Sequence, residues 1–168
     1  IDALSNQRYA LYRGANGSFE YVTGAAGVGK ITALNAGWGA KFIDYDNDGW
    51  EDLFVANGHV YPQVDQHPID MSFAEPKLVH RNLGNGKFAD VTAQLGSALT
   101  SPWSGRGAAF ADFDNDGFVD VFVANFGQVF GGYLNLGPAI RGDDGLLDLC
   151  IYSVRTLQDV PRVTWRMM

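Results

Sequence analysis

Nine residues, Asp44-Tyr45-Asp46-Asn47-Asp48-Gly49-Trp50-Glu51-Asp52, recur 68 positions later as Asp112-Phe113-Asp114-Asn115-Asp116-Gly117-Phe118-Val119-Asp120. Both read D-x-D-N-D-G-x-x-D. Acids spaced two apart gather their carboxylates round one bend of chain, where they repel strongly unless a cation lies between them. Hard oxygen donors at this density suit Ca²⁺, which takes roughly six to eight oxygens from carboxylates and carbonyls. The predicted ligands are Asp44, Asp46, Asp48 and Asp52 with the Trp50 carbonyl, and Asp112, Asp114, Asp116 and Asp120 with the Phe118 carbonyl. That amounts to about two Ca²⁺ per chain. Gly49 and Gly117 are placed to supply the positive φ of the turn, and Asn47 and Asn115 to stabilise it. An EF-hand is excluded, because its twelfth position needs a bidentate Glu and holds Val55 or Val123 here. One continuous loop supplies each ligand set, with no accompanying base or nucleophile. A structural metal is therefore expected, and no enzyme activity.

Other chemistry is weaker. Gly24-Ala25-Ala26-Gly27-Val28-Gly29-Lys30 approaches a phosphate-binding loop, but Ile31 stands where a Ser or Thr must meet Mg²⁺. Arg141-Gly142-Asp143 spells an integrin-recognition tripeptide, and three residues recur by chance. Asn16-Gly17-Ser18 fits a glycosylation sequon, yet Gly17 marks a hairpin turn. His59, His67 and His80 lack metal-ligand spacing. Cys150 is alone, which excludes an internal disulfide and a cysteine-based zinc site. No Ser-His-Asp or Cys-His constellation is present, so there is no candidate catalytic residue.

The elements that must hold these loops are short strands. Twenty-one glycines call for many tight turns, and 46% hydrophobic with 13% aromatic residues excludes disorder. The loops hold nine of the nineteen acids, leaving ten acids against twelve bases elsewhere. The net charge of −7 is thus local to the loops, and no basic stripe exists to bind nucleic acid. No apolar run is long enough to span a membrane. The repeat extends outward from the loops: Asn16-Gly17-Ser18-Phe19 and Val22-Thr23 match Asn85-Gly86-Lys87-Phe88 and Val91-Thr92. Gly37, Gly39, Ala40 and Phe42 likewise match Gly105, Gly107, Ala108 and Phe110. Each unit reads strand, N-G turn, strand with Val-Thr, G-x-G-A strand, acidic loop, apolar strand. Four short strands per unit give an all-β fold of β-propeller-type blades, about two repeats of an incomplete propeller. The expected division is repeat one at 1–57, a connecting insert at 58–76, repeat two at 77–125 and a divergent tail at 126–168. In the tail, Leu157 to Met168 could form an amphipathic helix.

Gly37-Trp38-Gly39-Ala40, the D-Y-D-N-D-G-W-E-D loop, Asn57-Gly58-His59-Val60-Tyr61-Pro62, Arg81-Asn82-Leu83-Gly84-Asn85-Gly86-Lys87-Phe88 and Gly105-Arg106-Gly107-Ala108 together carry a resemblance. Over residues 1–125 the chain resembles FG-GAP/VCBS-type repeats, particularly the ASPIC/UnbV, cartilage acidic protein-like group. The resemblance implies a propeller with Ca²⁺ in the acidic loops and a secreted, periplasmic or surface location. It also implies further blades in a parent chain, and protein or glycan ligands. Residues 123–168, through Gly131-Gly132, Gly137-Pro138-Ala139-Ile140 and Asp143-Asp144-Gly145-Leu146-Leu147-Asp148, are similar to the C-terminal part of diacylglycerol kinase-like lipid kinases. The glycine-rich nucleotide motif of that family is missing. The alternative reading is therefore a lipid-kinase fragment fused to repeats and inactive as it stands.

Overall fold

The computed structural model of the chain describes residues 8–32 and 34–124, and the backbone of residues 128–129, 134–135, 147–152 and 163–167. The N-terminal hairpin joins β1 (Tyr12–Ala15) to β2 (Ser18–Tyr21) through Asn16 and Gly17, both at positive φ (51° and 79°). That is the backbone a two-residue hairpin turn demands. The chain continues as β3 (Gly37–Ile43), β4 (Asp52–Asn57), β5 (Leu78–Asn82) and β6 (Phe88–Asp90). These four form one antiparallel sheet in sequence order. Then come β7 (Gly107–Ala111), β8 (Asp120–Ala124), the two-residue strands β9 (Gln128–Val129) and β10 (Leu134–Asn135), β11 (Leu147–Tyr152) and β12 (Val163–Met167). A second antiparallel sheet has the order β7-β8-β11-β12. Helix is confined to single turns such as α1 (Val28–Ile31) and α2 (Ser97–Thr100). The fold is all-β, as the glycine and turn pattern requires.

Sheets and sequence units are out of phase by two strands. β3 and β4 close the first unit, β5 and β6 open the second, and all four share one sheet. The 58–76 insert therefore links two neighbouring strands of a single sheet. It carries a 3₁₀ turn at Pro62–Gln66 and, at Glu75, forms an isolated bridge with Trp103, ahead of the second sheet. In the tail, Val163–Met167 is a strand paired with β11, not the end of a helix. Val163-Thr164-Trp165 is β-branched and aromatic, and cross-strand pairing outweighs an apolar spacing that a short run cannot resolve. Residues 153–162 and the glycine-rich stretch 136–146 of the kinase-like resemblance lie outside the described residues.

β4 is buried along its whole length. Leu53 and Val55 turn to one face, against Tyr9, Val28 and Leu78. Phe54 and Ala56 turn to the other, against Val79 of β5, Leu99 of α2, and Val121 and Val123 on β8 of the next sheet. A strand buried on both faces reads as a continuous apolar run, which is what Leu53-Phe54-Val55-Ala56 is. The first strands of the two sheets approach at Gly39, whose N–H donates to the Arg106 carbonyl at 3.0 Å. A Cβ at Gly39 would stand 2.6 Å from the Ala108 nitrogen. Glycine is required there for close approach.

Candidate metal centre

Each acidic loop joins the first two strands of its sheet. Asp44 folds back to accept from the N–H groups of Asp48 (3.0 Å) and Gly49 (2.9 Å), and Asp48 accepts from Trp50 N–H (2.9 Å). In the second loop Asp112 accepts from Asp116 (3.0 Å) and Gly117 (2.9 Å), and Asp116 from Phe118 (2.9 Å). One turn has been built twice. Gly49 and Gly117 have φ of 88° and 89°, and Asn47 and Asn115 also enter the left-handed region at 56° and 58°. Asn is among the non-glycine residues that do so most readily, so its stabilising role is conformational. Asn47 Nδ2 also donates to the Gly117 carbonyl at 3.2 Å, linking one loop to the other.

Carboxylate oxygens of Asp44, Asp46 and Asp48 all lie within 4.8 Å of one another, as do those of Asp112, Asp114 and Asp116. Asp52 and Asp120 stand apart from these groups at the first residues of β4 and β8, both buried. Asp52 accepts from Tyr45 N–H (3.3 Å) and Asn82 N–H (2.7 Å), and Asp120 from Phe113 N–H (2.9 Å). They tie the loop to its sheet. Burial raises the Asp52 carboxyl above its usual range, although the two N–H donors work against this. The Tyr45 hydroxyl is pushed up to about 12, by burial first and then by Asp46 and Asp52. Trp50 is exposed and lies over Gly84, where a Cβ would come 3.0 Å from the indole.

Arg81 on β5 escaped the sequence reading. Its Nε lies 2.9 Å from Asp46 Oδ2 and its Nη2 2.9 Å from Asp48 Oδ2. Asp48 and Asp46 in turn hold the guanidinium pKa above its ordinary value. The pair is 33 residues apart, so local spacing could not reveal it. The other Asp46 oxygen, Oδ1, is shielded from solvent with no hydrogen-bond partner among the described residues. A shielded carboxylate oxygen beside two further carboxylates is the donor set that a hard cation satisfies. The residues present therefore fit Ca²⁺, with Asp44, Asp46 and Asp48 as holders in one loop and Asp112, Asp114 and Asp116 in the other.

A second polar cluster sits where β4 leaves the sheet. Glu75 is buried and accepts from Ala36 N–H at 2.8 Å. Burial pushes its carboxyl up to about 7, against the opposing pull of the Ala36 N–H, Arg106 and Lys77. Arg106 donates to the carbonyls of Gly58 and His59 and stacks 4.7 Å from the Trp38 ring centre. Burial lowers its pKa to about 10, with Glu75 acting the other way. These contacts clamp the start of the insert to the second sheet.

No curated protein matches the chain. Residues 74–123, which take in β5 through β8 and the second acidic loop, match the family described as FG-GAP-like repeat. The antiparallel sheets and the doubled loop agree with that match, and over this stretch the chain is similar to an FG-GAP repeat protein.

Proposed function

We propose that this chain is a calcium-stabilised segment of β-propeller-like repeats, of the ASPIC/UnbV kind. It serves a secreted, periplasmic or surface protein by binding a protein or glycan rather than by catalysis. The observation that supports this most is the convergence of three carboxylates in each of two loops with the same hydrogen-bond pattern, with Asp46 Oδ1 shielded and without a hydrogen-bond partner among the described residues. Bound calcium would neutralise each group and hold its turn closed, coupling metal affinity to the stability of the sheet below. The loop-to-loop contact from Asn47 to Gly117 would then carry that order from one sheet to the next. The extracellular role follows from the resemblance, and the metal from the donor set.

Calorimetric titration of the metal-stripped chain with Ca²⁺ tests the reading. About two ions should bind per chain, with a rise in melting temperature. Asp46→Ala/Asp114→Ala should abolish both effects. A folded chain with no saturable uptake would remove calcium from the account.

A further inference from the structure

We propose that the outer edge of β1, with Arg13 and the cavity beside it, is a docking site for a β-hairpin whose turn is a D-x-D-N-D-G loop. The internal repeat supplies the argument. β1 and β2 pair as Tyr12 with Tyr21, Arg13 with Glu20 and Gly14 with Phe19. β5 and β6 pair in the same way, as His80 with Asp90, Arg81 with Ala89 and Asn82 with Phe88. Tyr12, Arg13 and Gly14 are thus the counterparts of His80, Arg81 and Asn82. β5 is covered on its other edge by β4, whereas among the described residues β1 pairs only with β2. The exposures follow: His80 is 0% exposed and Tyr12 56%.

Three further observations define the occupant. Leu11 directs its backbone inward, its N–H to Thr23 Oγ1 and its carbonyl to Val22 N–H. Backbone direction alternates along a strand, so the peptide groups of Ala10 and Tyr12 point out from the open edge. An open edge of this kind is a template for an added strand. Next to it lies an apolar cavity of about 220 Å³, lined by Tyr9, Ala10, Leu11, Ala40, Phe42 and Leu53 among others. It sits between that edge and the face of the first sheet. Finally, Arg81 pairs with Asp46 and Asp48 of the hairpin alongside β5. Arg13 holds the equivalent place and, among the described residues, pairs with Glu20 at 2.6 Å. A hairpin on β1 would bring its own acidic turn to Arg13. The edge, the cavity and the charge select one class of partner: a two-stranded unit with an apolar strand and an acidic loop.

The probe is a synthetic hairpin of residues 37–57, its paired ends cross-linked through Gly37→Cys and Asn57→Cys, dye-labelled, and confirmed as β by circular dichroism before use. It is titrated with the full chain, in calcium and again in chelator, and read by anisotropy. Saturable one-to-one binding is expected, together with slowed hydrogen exchange at the Ala10 and Tyr12 amides. Ala10→Pro removes an outward N–H and should weaken binding about tenfold or more. Arg13→Ala, and a probe carrying Asp46→Asn with Asp48→Asn, should each weaken it several-fold. Absence of saturable binding in both buffers overturns the proposal, as does binding that Ala10→Pro leaves unchanged. It also fails if sedimentation shows the chain dimerising through this edge, with Ala10→Pro restoring the monomer. Loss of calcium uptake with the hairpin still bound would remove the metal reading and leave this one standing.

Discussion

Asp52 and Asp46 show how carboxylates of one loop divide their tasks. Asp52 serves two backbone N–H groups from opposite sides, Tyr45 in the loop and Asn82 on β5. Asp52→Ala would strand both donors in a buried setting, and it should cost about 2–4 kcal/mol in urea-unfolding experiments. Asp52→Asn keeps an acceptor and should cost less. Arg81 would compete with a bound metal for Asp46 and Asp48. Arg81→Ala should therefore tighten calcium uptake several-fold by calorimetry while lowering the melting temperature in chelator. At the other end of β4, Glu75 sets a pH dependence. Its folded pKa of about 7 lies above the ordinary 4.5, so the native state holds the proton more firmly. That contribution to stability is complete below about pH 4.5 and is lost as pH rises through about 7. Melting temperatures of Glu75→Gln should accordingly fall less between about pH 5 and 8 than those of the parent chain.

Among the elements, the strands and the two acidic turns were legible in the sequence for local reasons. Asn16-Gly17 can make a hairpin by itself, and Leu53-Phe54-Val55-Ala56 reads as a fully buried strand whatever its neighbours. Strand grouping was not legible. In a repeating pattern every cyclic shift of the unit looks the same, and only non-local pairing decides which four strands share a sheet. The Arg81 contact was hidden for the same reason, because it depends on β5 lying beside β4. Spacing makes Asp52 a ligand candidate but does not show that it also accepts from Asn82, a contact that depends on β5 lying beside β4. The approach of β3 to β7 rests on Gly39. Gly39→Val should separate the two sheets and cost about 2–4 kcal/mol, measured by thermal melting, with Gly107→Ala much milder because its Cβ would meet Ala124 Cβ at an ordinary 4.0 Å.

At the scale of the whole molecule, stability is held between neighbouring sheets. Phe54 bridges them, packing edge-on against Phe110 with ring centres 5.5 Å apart. Phe54→Ala should cost about 3–5 kcal/mol and couple to Val123→Ala in a double-mutant cycle of melting curves. On the other face of the first sheet, Phe42 beside the cavity stays 40% exposed, with a tilted contact to Phe88 at 6.3 Å between ring centres.

The placement of the insert has a further consequence for what happens when the chain is cut. Residues 58–76 connect β4 to β5, which are hydrogen-bonded to each other within one sheet. A protease that nicks the exposed stretch around Gln66 to Ile69 would sever the polypeptide without severing the sheet. The two pieces would each carry two strands of that sheet and leave a sizing column together. Separated by denaturant and remixed, they would find each other again, and the chain would behave as a split protein whose halves are complementary at β4 and β5.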